Sequence, residues 1–487
     1  MDSIKKYSKS NRFLSIILVL FFAVACSDST LDDIDTNPEL VEDPTLTTLL
    51  PQIILSYSQE VAGGNGATFA GYMSEGITYG LGNNAYDAFA LFNGEAWENG
   101  FLLLNDLNLM KDKAEADQAY AYAGISDIIR AFTLTNLIDL YGDIPFSEAA
   151  RLDIRAPNFD AHEELYDDIQ AILDDAIANL ERTDGVGGPG VDDIIFEGDR
   201  TLWVKTAYGL KARLYMKLIN VDAANAQRSI NALNNSFQNE EEGLVISIYA
   251  NTVQNGNPLA VPEFTQPRSA AGNGIFNAMS GFTPNNEVDE DPRAALWLTI
   301  PDDGIGERTP GPNGQASEDF QNPNGDLYSK PRFLQFLQAP LPLLTYTELQ
   351  FIKAEAELRS GSDDAYATYQ GAVRSALEQA ALFNPAEMLS QAEIDTYLAY
   401  ADVSPGSGAL TLDDIVLQKF IYLFQFQFIE AYNETRKTEF FSPTNPRGRA
   451  NQMTYPDSEI DRNPNTPVDQ INVSSVFQSA TKLVWAD

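Results

Sequence analysis

Apolar residues recur every three to four positions along two long stretches of this 487-residue chain. Spacings of i, i+3, i+4 and i+7 place such residues on one face of an α-helix. Glycine or proline often stands near the ends of these runs, as is typical of helix boundaries. The predicted helices span residues 46–62, 97–114, 118–140, 162–180, 202–219, 223–233, 343–360, 364–381 and 412–437.

The helical period is lost between residues 236 and 340, a section rich in glycine, proline and asparagine. Runs of β-prone residues at 244–249 and 295–300 predict short strands there. The chain is therefore predicted to be mainly α-helical, with an inserted loop-rich lobe that contains short strands. Helix pairs of this length favour a scaffold of stacked tetratricopeptide-like hairpins. The strict repeat consensus is absent, so a helical protein without repeats stays an alternative.

The first 26 residues have the pattern of a lipoprotein signal. Four basic residues precede a 13-residue apolar run at 13–25, which is shorter than the roughly 20 residues that span a bilayer. This predicts a signal peptide over residues 1–25. The sequence AVAC resembles a bacterial lipobox, in which Cys26 becomes the lipidated first residue of the mature chain. An ordinary signal peptide followed by a chance free cysteine is the alternative.

Composition indicates a folded protein that has no affinity for nucleic acid. Cys26 is the only cysteine, so no intramolecular disulfide can form. The chain has 70 acidic and 31 basic residues and a net charge of −39, which repels nucleic acid and anionic lipid surfaces. A hydrophobic content of 44% argues against a disordered chain. No second apolar run is long enough to span, so the lipid is predicted to hold the mature protein at the membrane.

Several segments along the chain form a recognisable series. They are LDDIDTNP at 31–38, DLYGDIPFSEA at 139–149, DRTLWVKTAYGLKARLYM at 199–216, DPR at 291–293, LLTYTELQFIKAEAELR at 343–359, and QKF at 418–420 with EAYNETRK at 430–437. In this order they resemble the motifs of the SusD/RagB-type nutrient-binding outer-membrane lipoproteins. Two positions depart from the family pattern. Tyr432 stands where tryptophan is common, and Lys437 stands where arginine is common.

The resemblance implies a lipid-anchored, non-enzymatic protein on the cell surface, at the outer membrane. It implies an oligosaccharide ligand and, as partner, a SusC-like TonB-dependent transporter. The expected parts are a lipidated tether at 26–45 and one SusD-like domain at 46–487, made of a helical scaffold (46–235 and 341–440), an irregular ligand-side lobe (236–340) and an irregular C-terminal segment (441–487). A peptide-binding RagB-like protein with the same partner, and a surface glycoside hydrolase, are the alternatives.

Saccharide binding needs aromatic faces that stack on pyranose C–H groups and polar side chains that meet hydroxyls. Two regions rich in glycine and asparagine, at 79–87 and within 270–335, offer such residues, and binding residues often lie on loops of this kind. The candidate ligand-binding residues are Tyr79, Asn83, Asn84, Tyr86, Arg308 and Tyr328. Arg308 and Tyr328 are expected to be exposed, whereas the alternative for Tyr79 and Tyr86 is that they pin a loop to the core. The tryptophans are predicted to pack inside instead; they are Trp97, Trp203, Trp297 and Trp485.

Candidate catalytic and metal-binding residues are sparse. The only histidine, His162, has no partner at a ligand spacing, which excludes an HExxH zinc site. Carboxylate pairs for glycoside hydrolysis stay open, because 70 acidic residues allow many pairs. The acidic runs at 289–291 and 302–303 offer oxygen ligands for Ca²⁺ without EF-hand spacing, so neither a metal nor a cofactor is predicted. Asp139 and Asp143 are predicted to have a structural role in a turn.

Overall fold

Most of the predicted helices form, because each buries an apolar face against its neighbours. The computed structural model describes residues 43–61, 65–75, 94–149, 154–265, 269–302, 305–311, 321–322, 325–425, 427–443, 448–467 and 482–486. Its helices are α1 (Leu46–Val61), α2 (Asn65–Phe69), α3 (Gly94–Ala116), α4 (Tyr120–Tyr141), α5 (His162–Glu181), α6 (Arg200–Lys217), α7 (Asn225–Leu233), α8 (Ala260–Thr265), α9 (Asn273–Ser280), α10 (Pro292–Trp297), α11 (Tyr346–Arg359), α12 (Ala365–Glu378), α13 (Gln391–Leu398), α14 (Leu412–Leu423), α15 (Phe428–Lys437) and α16 (Asp457–Arg462).

The strands are short and pair two by two within the described residues. They are β1 (Met73–Glu75), β2 (Leu244–Ile246), β3 (Ser269–Ala271), β4 (Gln321–Asn322), β5 (Gly325–Asp326) and β6 (Leu341–Leu344). Strand β1 pairs with β3, β2 with β6 and β4 with β5, all antiparallel. The mainly α-helical fold class is thereby confirmed, with short strands in and beside the middle section.

Side-chain caps fix where several helices begin. Asp199 accepts hydrogen bonds from the first turn of α6, and Thr345 accepts one from Glu348 at the start of α11. Ser390 and Thr411 form capping boxes that open α13 and α14. Each cap satisfies backbone N–H groups that the helix itself leaves without a partner.

Consecutive helices pack on one another along the scaffold. Helix α4 packs between α3 and α5, α6 packs on α7, and α11 packs on α12. A Cβ added at Gly124 of α4 would lie 2.7 Å from Cγ of Leu180 in α5, so glycine permits this close approach. Residues 46–487 form one compact unit around a continuous hydrophobic core.

All four tryptophans lie in the core, as predicted. Trp97 is 4% exposed, and Trp203, Trp297 and Trp485 are fully buried. Three of the indole N–H groups keep a partner inside: Trp203 donates to Asp193 at 2.7 Å, Trp297 to the carbonyl of residue 380 at 2.7 Å, and Trp485 to the Tyr166 hydroxyl at 2.7 Å. Such partners offset the cost of burying a polar group.

The predicted helix over 412–437 is wrong as a single element. The chain leaves the helix after Leu423 and re-enters it at Phe428. Phe424 is fully buried and packs against Tyr72, Trp297 and Phe333, with ring centroids 5.1, 5.8 and 4.9 Å away. Apolar packing at this point overrides the continuous helical period.

Two further boundaries differ from the sequence pattern. Residues 341–344 are strand β6 rather than the first turn of a helix, because they pair with β2 and Thr345 then caps α11. The run at 295–300 was expected to be a strand, but helix α10 occupies Pro292–Trp297. Asp291 caps that helix and proline stands in its first turn, which favours helix initiation.

A buried ionic cluster joins α4, α6, α11 and α15. Arg213 donates to both carboxylate oxygens of Glu348, at 2.7 and 2.6 Å, and Lys217 pairs with Asp139 and, at 3.5 Å, with Glu430. Burial alone would raise the pKa of Glu430, but the charges of Lys217 and Arg213 outweigh it and lower that pKa to about 2. Asp139 is therefore structural, as predicted, although it acts deep in the scaffold rather than in a turn.

Candidate ligand-binding site

Strands β1 and β3, together called the platform here, join the segment after α2 to the middle section of the chain. The two strands pair in register, Met73 with Ala271 and Glu75 with Ser269. On its other side, Ala271 donates to the carbonyl of Ser329 and accepts from the N–H of Gly311, both at 2.7 Å. The platform therefore ties residues far apart in sequence into one patch.

Both regions that carry the predicted ligand-binding residues start from this platform. Ser329 donates to the carbonyl of Thr309 at 2.8 Å, which places the segments of Arg308 and Tyr328 beside β3. Glycine is needed at 311, because a Cβ there would lie 2.8 Å from that of Ala270. The other region follows β1 in the chain; its candidates Tyr79, Asn83, Asn84 and Tyr86 lie outside the described residues.

A cavity of about 370 Å³ lies next to the start of α9; its lining residues Ala70 and Gly274 stand just before β1 and just after β3 in the chain. Its wall comes from α2, α9, α14, α15 and the segment that follows α15. The lining residues are Phe69, Ala70, Gly274, Asn277, Ala278, Gly281, Leu417, Phe420, Thr435, Phe440, Phe441, Ser442, Pro443, Gly448 and Arg449. The volume lies in the range of small-molecule sites.

Aromatic rings dominate one side of the cavity. Phe441 packs on buried Phe420 with ring centroids 4.5 Å apart and the rings tilted by 40°, and Phe440 packs on Phe441 at 5.2 Å. Phe440 keeps 40% of its surface exposed, so a ring face is accessible to a ligand. Arg449 donates to the carbonyls of Thr438 and Phe441 and so fixes the backbone that presents these rings.

The polar groups of the cavity suit hydroxyl recognition better than catalysis. Asn277, Thr435 and Ser442 supply neutral donors and acceptors, and Arg449 is the sole ionisable side chain among the described lining residues. A glycoside hydrolase needs two carboxylates flanking the scissile bond, and the described lining contains none. Elsewhere in the described chain, no three His, Cys, Asp or Glu side chains converge as metal ligands.

Arg308 does not have the exposure expected from its surroundings. Its side chain is 12% exposed, donates to the carbonyl of Leu298 at 3.1 Å and pairs with Asp289. The guanidinium is drawn inward because these two acceptors satisfy it there. Tyr328 is half-buried. Neither residue lines the cavity, so ligand contact by either stays a prediction.

Phe440 and Phe441 were not among the residues predicted to bind ligand. The usable signal was two adjacent aromatics in an irregular segment, FFSPTNPRGRA, directly after a predicted helix. Three of the carboxylates weighed for Ca²⁺ serve other bonds: Asp291 pairs with Arg293 at 2.7 Å, Glu290 accepts from the backbone of Asn285 at 3.1 Å, and Asp289 pairs with Arg308. Asp303 lies outside the described residues.

A family model described as starch-binding and associating with the outer membrane matches residues 38–457. The chain belongs to the SusD-like family. This membership makes it a nutrient- or carbohydrate-binding protein associated with the outer membrane. Among curated proteins, none matches the sequence. Within the described residues, no helix is both long and apolar enough to cross a membrane.

Solved structures show the same fold at low sequence identity. A SusD/RagB family protein from Bacteroides thetaiotaomicron has a TM-score of 0.80 at 22% identity, covering 91% of this chain and 99% of that chain. A chitin-binding SusD homologue from Flavobacterium johnsoniae has a TM-score of 0.70 at 19% identity, covering 90% and 97%. A SusD homologue from Bacteroides uniformis has a TM-score of 0.71 at 18% identity, covering 90% and 99%.

Proposed function

We propose that this SusD-like protein is a non-catalytic surface lipoprotein that binds oligosaccharides and delivers them to a SusC-like TonB-dependent transporter. The observation that supports it most is the aromatic-lined cavity next to the start of α9, whose described lining has no carboxylate. Exposed ring faces stack on sugar C–H groups, and neutral amide and hydroxyl groups meet sugar hydroxyls. The chitin-binding description of one structural relative guides the choice of ligands to test.

Binding is tested by calorimetry on the full-length protein in mild detergent, with panels of oligosaccharides, chitin fragments included, and of oligopeptides. Phe441→Ala is expected to weaken oligosaccharide binding at least about tenfold, roughly 1.4 kcal/mol. Phe264→Ala is the matched control, since Phe264 is 54% exposed and does not line the cavity. Equal affinity of wild type and Phe441→Ala would contradict the cavity as the site.

The same panels separate the two alternative functions. Binding of oligopeptides without any oligosaccharide binding would favour the RagB-like, peptide-binding protein. New reducing ends in the incubated oligosaccharides would favour a surface hydrolase. Tyr79→Ala and Tyr86→Ala are expected to weaken binding as well, since both are aromatic residues in a glycine- and asparagine-rich stretch that directly follows β1 in the chain.

The anchor and the partner have separate tests. We propose that Cys26 carries the lipid, that residues 26–45 act as a tether, and that residues 46–487 form the ligand-binding domain. Cys26→Ala should release the protein from the outer-membrane fraction, whereas a variant that stays bound would contradict a lipid on Cys26 as the anchor. Isolation of the wild-type lipoprotein in mild detergent should bring a β-barrel transporter with it, and recovery as a lone monomer would contradict the partner.

A further inference from the structure

His162, the only histidine of the chain, holds two different elements at once. Its backbone N–H and its Nδ1 both bond to Oδ1 of Asp143, at 2.9 and 2.6 Å. Its Nε2 lies 3.0 Å from the backbone nitrogen of Val484, near the C-terminus. The imidazole therefore bridges the connection between α4 and α5 to a segment more than 300 residues away.

The bond to Val484 fixes the protonation state of the ring. A backbone N–H can only donate, so Nε2 must accept and must carry no proton. The single proton of the neutral ring then lies on Nδ1, where it is donated to Asp143. Protonating Nε2 would set two N–H donors against each other 3.0 Å apart and remove the bond.

The segment held by this bond is residues 482–486, here called the latch segment. Leu483 and Trp485 are buried, and Val484 between them is exposed. The Trp485 indole donates to Tyr166, and the Trp485 carbonyl accepts from Asn220 at 3.2 Å. The Trp485 ring lies 5.0 Å from the Arg436 guanidinium, so the latch segment covers a cationic side chain of the scaffold.

The ionisable groups around the imidazole do not reverse this preference. Burial would raise the pKa of Asp143, but hydrogen bonds from His162 hold it below its ordinary value, so the carboxylate stays charged. Asp143 contacts Nδ1 and takes no part in the bond between Nε2 and Val484. The other ionisable groups on the elements around the imidazole are Glu163 and Glu164 in the first turn of α5, Tyr455, and Lys482 at the start of the latch segment. The Tyr455 hydroxyl donates to the backbone carbonyl of Asp143.

We propose that His162 is a proton-sensitive latch: neutral, it holds residues 482–486 against α5, and protonated, it releases them. Docking needs the neutral ring and release does not, so protons favour the released state by linkage. Protonation of the ring therefore uncovers Trp485 and the Arg436 side chain beneath it while the rest of the fold stays intact.

The test uses the full-length protein in mild detergent, labelled with fluorotryptophan and with ¹³C-histidine. One histidine labelled at Cε1 gives one carbon signal, and four tryptophans give four fluorine signals; loss of one signal in Trp485→Phe assigns it. Between about pH 8 and 5, only the Trp485 signal is expected to shift, with the midpoint of the His162 titration. The other three tryptophans report whether the whole protein unfolds.

Two variants separate the latch from general acid effects. His162→Gln keeps a hydrogen-bond acceptor that does not titrate in this range, so its Trp485 signal should not move. Val484→Pro removes the N–H donor, so Trp485 should no longer follow the His162 titration. A wild-type Trp485 signal that stays constant to pH 5, a shift that persists in His162→Gln, or all four signals moving together would each overturn the proposal.

Discussion

At the scale of single residues, Glu60 is a buried carboxyl group whose pKa burial raises. It is 5% exposed, and one of its carboxylate oxygens has no hydrogen-bond partner. Burial raises its pKa to about 8, against weaker opposing hydrogen bonds from Thr133 and Asn136. Since the unfolded carboxyl ionises near pH 4.5, folding must take up a proton between these values. Glu60 therefore costs increasing stability as the pH rises from 4.5 towards 8.

Glu60→Gln is expected to stabilise the protein, and more so at pH 8 than at pH 5. The amide stays neutral, so the gain should grow with pH and reach at least about 2 kcal/mol at pH 8. Denaturant unfolding at several pH values measures it. Glu241→Gln, on the exposed surface, should change stability by less than about 0.5 kcal/mol. An equal gain for Glu60→Gln at every pH would contradict the assignment.

At the scale of elements, ion pairs and aromatic packing hold the helices in place. Lys437 of α15 pairs with Glu355 of α11 at 2.9 Å, and both side chains are buried. The exposed pair between Arg374 and Asp395 has the same charges at 3.0 Å but lies in solvent. Burial makes the first pair costly to break, because the remaining charge has no water around it.

Glu355→Gln is therefore expected to destabilise the protein by about 3 kcal/mol. Asp395→Asn breaks the exposed pair and should cost less than about 1 kcal/mol. Both are measured by denaturant unfolding at neutral pH with a common slope. Equal losses for the two variants would mean that burial does not govern the strength of these pairs.

The break between α14 and α15 depends on the packing of one ring. The Phe424 ring contacts three other rings: Tyr72 just before β1, Trp297 in α10, and Phe333 in the segment after β5. Phe424→Ala should cost about 3–5 kcal/mol, as for other large core truncations. The exposed Phe264→Ala is the control, with a loss near 0.5 kcal/mol or less. A small loss for Phe424→Ala would show that the break does not depend on this ring.

These elements show what the sequence could and could not predict. Helical periods located the scaffold because local burial governs them, and the tryptophans were rightly placed in the core. The break after Leu423 was missed because Phe424, which follows it, packs against Tyr72, a ring far away in sequence. The place of Phe440 and Phe441 in the cavity wall was missed for the same reason, since it depends on Phe420 and on the start of α9.

At the scale of the whole molecule, charge sets how stability responds to the solvent. With a net charge of −39, many carboxylates would remain unpaired even if every basic residue had a partner. Their mutual repulsion is stronger in the compact state than in the unfolded chain. The buried ionic cluster opposes this repulsion locally, and salt screens such buried pairs much less than surface charges.

Added salt is therefore expected to stabilise the folded protein at neutral pH. Raising NaCl from about 10 to about 200 mM shortens the screening length from roughly 30 Å to below 10 Å, and the melting temperature should rise on the order of 2 °C. Thermal unfolding monitored by circular dichroism measures the change. Near the sequence isoelectric point of about 4.2 the net charge vanishes, so the same salt step should have little effect there. A melting temperature that falls with salt at neutral pH would mean that attractive pairs at the surface outweigh the repulsion.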